Sequence, residues 1–368
     1  MISAEYYQGI YLFILTIISL FVFRRYAYFK EQRFLGASDQ GGKGVIVLCI
    51  IMALFIGFRP INVAFVDMRG YAETYWALEG SYFHWKWDTD NKIFDNLIAW
   101  IAANRLGVST LFIFLSILYF SGMAVACSML FPKDKMAAYL ICLSALSTFS
   151  YSVNGMKAGV AASLFLIALA FNDRDKKWPT ILFILLSFGF HHAMQLPVVA
   201  FFICKFVKHP KYFLWLWILC LVMAMAHVTF FMHIFENLTD EKGAGYLSGL
   251  GNAYKGFRFD FVLYSSAPVV IGQIALKKKM IESRRYEFLL NLYTLVNAIW
   301  LLCMYAEFNN RISYLSWFMF PIVLIFPFLR ERWGSNQYPL FRSIAYGHLC
   351  FTLLMEIVYY GFFRSLIR

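Results

Sequence analysis

The chain is a succession of apolar runs, many close to the length that crosses a bilayer, divided by short breaks that hold most of its charge. About 18 or more apolar residues in a helix cover the roughly 30 Å hydrocarbon layer. Within that layer backbone polar groups have to be satisfied inside the segment, which leaves helices or closed barrels. The pattern therefore predicts an all-α, polytopic integral membrane protein. Apolar residues make up 61% of the 368 and charged residues 15%, too few charges to cover a soluble surface of that size.

Spans are expected near 5–23, 44–58, 108–130, 136–150, 156–171, 178–190, 193–207, 212–232, 260–276, 287–306, 312–329 and 343–362, about twelve transmembrane helices in a single membrane domain over 1–368. The short pairs 136–150 with 156–171 and 178–190 with 193–207 can also be read as re-entrant hairpins. The first run follows Glu5 rather than a basic segment and is closed by Arg24 and Arg25, so it reads as a retained span. With the N-terminus outside, 21 of the 33 basic residues fall in cytoplasmic loops together with only eight acids. That is the positive-inside pattern. The net charge of +12 is then a topology signal with some attraction to anionic membrane lipids, and no nucleic acid is needed as a partner. The seven cysteines show no CxxC spacing, so neither a disulfide framework nor a zinc site is expected.

On the outer side of this topology lie Arg59, Lys157, His191 with His192, Arg258 and Arg311. The residues 59–107 form the long extracytoplasmic loop, with Asp67, Tyr71 and Tyr75 followed by Trp76, Trp85 and Trp87. Rings among carboxylates suit a sugar, whose apolar faces stack while its hydroxyls bond to acids, and they equally suit an interfacial aromatic belt. Within the loop, 93–106 puts Ile93, Leu97 and Ile101, with Phe94 and Ile98 beside them, on one stripe at helical spacing, which predicts an amphipathic helix lying in the interface rather than a thirteenth, imperfect span. Asn154 in YSVNGMKAGVAAS is placed to cap the next helix, with Lys157 in its first turn beside free N–H groups that attract anions. The adjacent histidines of LSFGFHHAMQLP do not face one way on a helix, so a shared metal is not expected; either can pass a proton or bind a hydroxyl. Arg258 can pair with Asp260, and Arg311 with Glu307. Several cations on the side the topology rule disfavours want a common anion, and guanidinium groups bind phosphate oxygens two at a time. Asn237-Leu238-Thr239 matches a glycosylation acceptor.

FRPINVAFVDMRGYAETY, YSVNGMKAGVAASL, GFHHAMQLP, FRFDF and NNRISYL occur in that order, and together they resemble the EpsG family of bacterial exopolysaccharide polymerases, which are Wzy-like. Where that family has an Arg-Gln pair after Asn-Gly, this chain has Lys157 and Ala158, so the charge is kept and the bidentate fork is lost. The resemblance implies a GT-C-like glycosyltransferase in the bacterial cytoplasmic (inner) membrane with its active face extracytoplasmic. Its donor and acceptor would be undecaprenyl-diphosphate-linked oligosaccharides, and a chain-length regulator or flippase of the same pathway would be a partner. In that scheme Arg59, Lys157, Arg258 and Arg311 hold the diphosphate, and Asp67 is the general base with His192 as the alternative. Tyr71, Tyr75, His191, Asp260, Asn310 and Tyr314 contact the substrate, and no metal or other cofactor is required. Two rivals remain open from sequence, a transporter of lipid-linked oligosaccharides and a membrane O-acyltransferase that uses a histidine.

Overall fold

A computed structural model describes residues 2–28, 42–232 and 256–359. The Asn237 acceptor site lies outside the described residues. Among the described residues each segment expected to span is mostly helical, and there is no strand. In chain order the helices are α1 (Tyr7–Phe23), α2 (Gly42–Gly57), α3 (Val66–Leu78), α4 (Lys92–Ala103), α5 (Val108–Leu130), α6 (Lys135–Leu143), α7 (Leu146–Val153), α8 (Met156–Asp173) and α9 (Lys177–Phe190). They continue as α10 (Gln195–Phe206), α11 (Pro210–Met225), α12 (Phe259–Lys277), α13 (Arg284–Leu302), α14 (Asn309–Trp317), α15 (Phe320–Leu329) and α16 (Gln337–Leu354).

Among the described residues six stretches are long and apolar enough to cross a membrane, and α6 with α7, bent by 71°, makes a seventh if counted as one broken span. That is fewer than the twelve expected, for a geometric reason. At 1.5 Å per residue the 14 residues of α9 rise only about 21 Å, short of the hydrocarbon thickness. The polar breaks at 174–176 and 191–194 cut the apolar runs there.

The helices form two compact units, one within 1–194 and 328–368, the other within 195–327. In the first, α8 packs between α5 and α9, and α2 lies along α5. Small residues permit the approach: a Cβ at Gly122 on α5 would meet Ser163 Oγ at 2.7 Å, and one at Gly159 on α8 would meet the Tyr151 carbonyl at 2.8 Å. This is the small-residue packing that membrane helices use where apolar burial gives no drive.

Polar contacts mark the two ends of this unit. At one end Tyr26 donates to Asp134 (2.6 Å), Arg330 pairs with Asp173 (2.8 Å) and donates to the Leu130 carbonyl, and Arg174 donates to the Met129 carbonyl. At the other, Arg59 meets Val153 and Met156, and His191 meets Asn91. The α6–α7 pair, α8 and α9 each run from one end to the other, so the pair 135–153 and 156–173 traverses this unit.

The second unit is centred on α13. Trp217 Nε1 donates to Asn297 Oδ1 (2.8 Å), Asn297 donates to Ser316 Oγ (3.0 Å), and Trp317 Nε1 donates to Ser265 Oγ (2.6 Å). Buried polar side chains at helix crossings are satisfied here by one another.

Candidate functional site

The 59–107 segment is more ordered than a loop. The expected amphipathic helix is present as α4, ending at Ala103 rather than 106, because Arg105 adopts a left-handed φ of 51° and Gly107 a φ of 84° at the entry to α5. Its buried stripe is Phe94, Ile98, Ile101 and Ala102. Ile93 seats on Gly189 of α9, where a Cβ would lie 2.7 Å from Ile93 Cδ1. A second helix, α3, was not expected from sequence. Met68, Ala72 and Tyr75 give it a buried stripe and Asp67 stands in its first turn, where a carboxylate favours the helix dipole.

Around Phe94 three elements meet. Asp67 and Tyr71, one turn apart on α3, are both half-buried, and the Tyr71 ring packs edge-on against Phe94 at 5.1 Å between centroids. From α8, Lys157 Nζ stands 5.8 Å from the Phe94 centroid, within cation–π reach. Lys157 is in the first turn of α8 as expected, but the cap is not Asn154. Gly155 is the N-cap with no side-chain bond, and Asn154 Oδ1 is buried with no hydrogen-bond partner. Tyr75 is buried, its hydroxyl donating to Glu79 (3.2 Å) and accepting from the Gly107 N–H (3.1 Å). Burial, above all, pushes its phenol pKa up.

Arg59 is 4% exposed. Its Nη1 donates to the Ile56 carbonyl (2.7 Å) and its Nη2 to the Val153 carbonyl (2.9 Å) and Met156 Sδ (3.0 Å). Phe65 and Phe112 lie against the guanidinium at 5.3 and 5.6 Å. Nε is buried with no partner. Burial lowers its pKa to about 9, above neutrality, so the group is a buried cation that bolts the end of α2 to the turn preceding Lys157.

Adjacent histidines on a continuous helix diverge, but here the helix breaks between them. His191 is extended (φ −152°, ψ 117°) and His192 opens a single 3-10 turn. As a result both rings converge on one atom, Asn91 Oδ1, with His191 Nδ1 at 2.9 Å and His192 Nδ1 at 3.2 Å. Asn91, a buried residue before α4, was missed in the sequence, where nothing marks it among the other Asn and Asp of 88–96. Another such residue is Asn96, whose side chain accepts from the Lys86 N–H and donates to the Lys86 carbonyl, both at 2.8 Å. It holds the segment carrying Trp85 (46% exposed) and Trp87 (74%) against α4.

In the second unit Arg258 closes its fork on Asp260, Nε to Oδ1 at 2.9 Å and Nη2 to Oδ2 at 2.6 Å, with its guanidinium carbon 3.5 Å from the Phe261 centroid. Arg311 is exposed, 5.2 Å from the ring of Phe308. Phe308 takes a left-handed φ of 51° immediately before α14. Asn310 is half-buried, and Tyr314 is 8% exposed with its ring 5.6 Å from that of Trp317. Among the described residues no group of three or more His, Cys, Asp or Glu is placed to hold a metal ion.

The arrangement offers cations, a carboxylate and two imidazoles beside aromatic faces at one end of the first unit, and an arginine–carboxylate pair with an exposed arginine in the second. Residues 45–364 match the family model described as EpsG family. No curated protein and no solved structure matches the chain.

Proposed function

The chain belongs to the EpsG family of polysaccharide polymerases, and from that premise we propose that it joins oligosaccharide repeat units carried on undecaprenyl diphosphate. The work is done on the extracytoplasmic face of the bacterial cytoplasmic membrane by one multi-pass membrane domain, GT-C-like in plan and Wzy-like in activity. Orientation is supported by the two polar ends of the first unit. Lys133, Lys135, Arg174, Lys176, Lys177 and Arg330 gather at or beside one end, as expected of the cytoplasmic side.

The acceptor hydroxyl oxygen attacks the anomeric carbon of the donor, the bond from that carbon to the phosphate oxygen breaks, and the lipid diphosphate leaves with the electron pair. The hydroxyl proton passes to a base, Asp67 or His192. The cations for diphosphate oxygens are Lys157 in the first unit and Arg258 and Arg311 in the second, and the charge that builds on a departing phosphate is where preorganised cations contribute most. This makes a divalent metal unnecessary. Arg59 contributes by fixing the turn that carries Lys157, and its unpaired Nε is the remaining donor for an anion. Tyr71, His191, Asp260 and Asn310 contact the sugars, with Tyr75 and Tyr314 supporting them from buried positions.

The observation that carries this reading is the placement of Lys157 in the first turn of α8 against Phe94, with Tyr71, one turn from Asp67, on the same ring. A test is the purified protein in lipid vesicles given an undecaprenyl-diphosphate oligosaccharide. A ladder of polymers with release of undecaprenyl diphosphate is expected, in EDTA as without it. Substrate moved across the bilayer with no new glycosidic bond would favour transport instead. One feature suits that second reading: Glu356, buried near the end of the last described helical stretch, accepts a hydrogen bond from Gln8, and intramembrane carboxylates often mark transport pathways. Within the polymerase reading, a chain-length regulator and a flippase are the protein partners.

A further inference from the structure

The two histidines can be assigned their protons from the contacts around Asn91. An amide side chain can be flipped, so its oxygen and nitrogen are ordinarily assigned from what surrounds them. Here one neighbour can act in only one sense. The backbone N–H of His192 lies 3.2 Å from Asn91 Oδ1, and a backbone N–H only donates. The Asn91 atom at this point is therefore the oxygen. The Nδ1 atoms of His191 and His192 face that same oxygen at 2.9 and 3.2 Å, and an amide oxygen only accepts. Both rings then carry hydrogen on Nδ1, and in the neutral imidazole the lone pair falls to Nε2.

We infer that Asn91 is a positioning residue that locks both histidines in the Nδ1–H tautomer, so that any proton His192 takes up in the transfer goes to Nε2. The catalytic consequence rests on the transferase reading above. Asn91 is 6% exposed, its own N–H donates to Asp95 Oδ2 (3.3 Å), and α4, which it precedes, is seated on Gly189 through Ile93. A carbonyl oxygen has two lone pairs, so three donors must share them. The shortest contact, from His191, takes one, and the ring and backbone N–H of His192 divide the other. Asn91 thus ties α4 to the break after α9.

The test uses the full-length protein with 15N-labelled histidine in lipid nanodiscs. Ring-nitrogen shifts report which nitrogen is protonated, and spectra of His191→Gln and His192→Gln identify the two residues among the seven histidines. The expected result is Nδ1–H for both in the wild type and in Asn91→Asp, which keeps an acceptor. In Asn91→Leu the Nε2–H form should appear, and transfer should fall about 10-fold, as for the loss of one positioning hydrogen bond. Finding His192 with hydrogen on Nε2 in the wild type would overturn the assignment, and this spectrum needs no variant to fold. Wild-type transfer by Asn91→Leu would overturn the positioning role. If the tautomers are as assigned but the wild-type protein makes no glycosidic bond, the polymerase reading fails while the assignment stands.

Discussion

Replacing Arg59 by methionine separates a bolt from a phosphate clamp. Methionine keeps the length and the contact with Phe65 and Phe112 but removes every donor. The Ile56 carbonyl retains a partner, because the Arg59 backbone N–H also reaches it at 3.3 Å. The Val153 carbonyl loses the Nη2 bond at 2.9 Å. Charged hydrogen bonds contribute roughly 1.5–3 kcal/mol each, but a cation at 4% exposure also carries a desolvation cost that the substitution relieves. If these two largely offset, what remains is the orphaned carbonyl, about 1–3 kcal/mol. The loss should appear first in the 153–156 turn, and so in the placement of Lys157. Unfolding can be followed with a thiol-reactive fluorophore, since five of the seven free cysteines are buried. The variant should unfold at lower temperature and lose transfer together. An unchanged unfolding midpoint with transfer lost would refute the bolt and make Arg59 a direct ligand of the diphosphate.

Asp67→Asn should abolish polymer formation with normal membrane insertion, measured by glycan sizing and by membrane abundance; retained activity would remove Asp67 as the base. Arg311→Lys exchanges a two-bond grip for one, and a lost charged bond of roughly 1.5–3 kcal/mol corresponds to a fall of about 10- to 100-fold in turnover. Near-normal turnover would make Arg311 dispensable to the chemistry. Gly159→Ala would put a Cβ 2.8 Å from the Tyr151 carbonyl, backbone that cannot swing away, and should destabilise by about 1–3 kcal/mol. Thermal unfolding equal to wild type would show that α7 and α8 separate more easily than their packing implies.

The helical, membrane-spanning class was legible because apolar run length is a direct physical requirement of the bilayer. So was α4, because apolar residues recur at helical spacing from 93 to 101, although the buried line runs through Phe94 and Ile98 rather than Ile93 and Leu97. Helix α3 was hidden because its mean composition is close to neutral and only Met68, Ala72 and Tyr75 bear its pattern. Spans shortened by polar breaks could not be counted from hydropathy alone. In the site, residue types pointed to Asp67, Lys157 and the arginines, and Arg258 does pair with Asp260 as its spacing allows. The direction of the Arg59 fork could not be read, because it depends on a carbonyl 94 residues away. Asn91 was invisible for the same reason: its partners are two rings 100 and 101 residues later, brought together by a helix break whose geometry adjacent histidines do not reveal.

The proposed activity is the polymerisation of lipid-linked repeat units outside the cytoplasmic membrane. It is tested most directly by deleting the chain in its native host and sizing both the surface glycan and the lipid-linked oligosaccharides, with wild-type and Asp67→Asn copies returned. Loss of long polymer, with complete single repeat units exposed outside and rescue by the wild-type copy alone, is the predicted result. Repeat units trapped on the cytoplasmic face, or polymer of normal length lacking an acyl group, would contradict it.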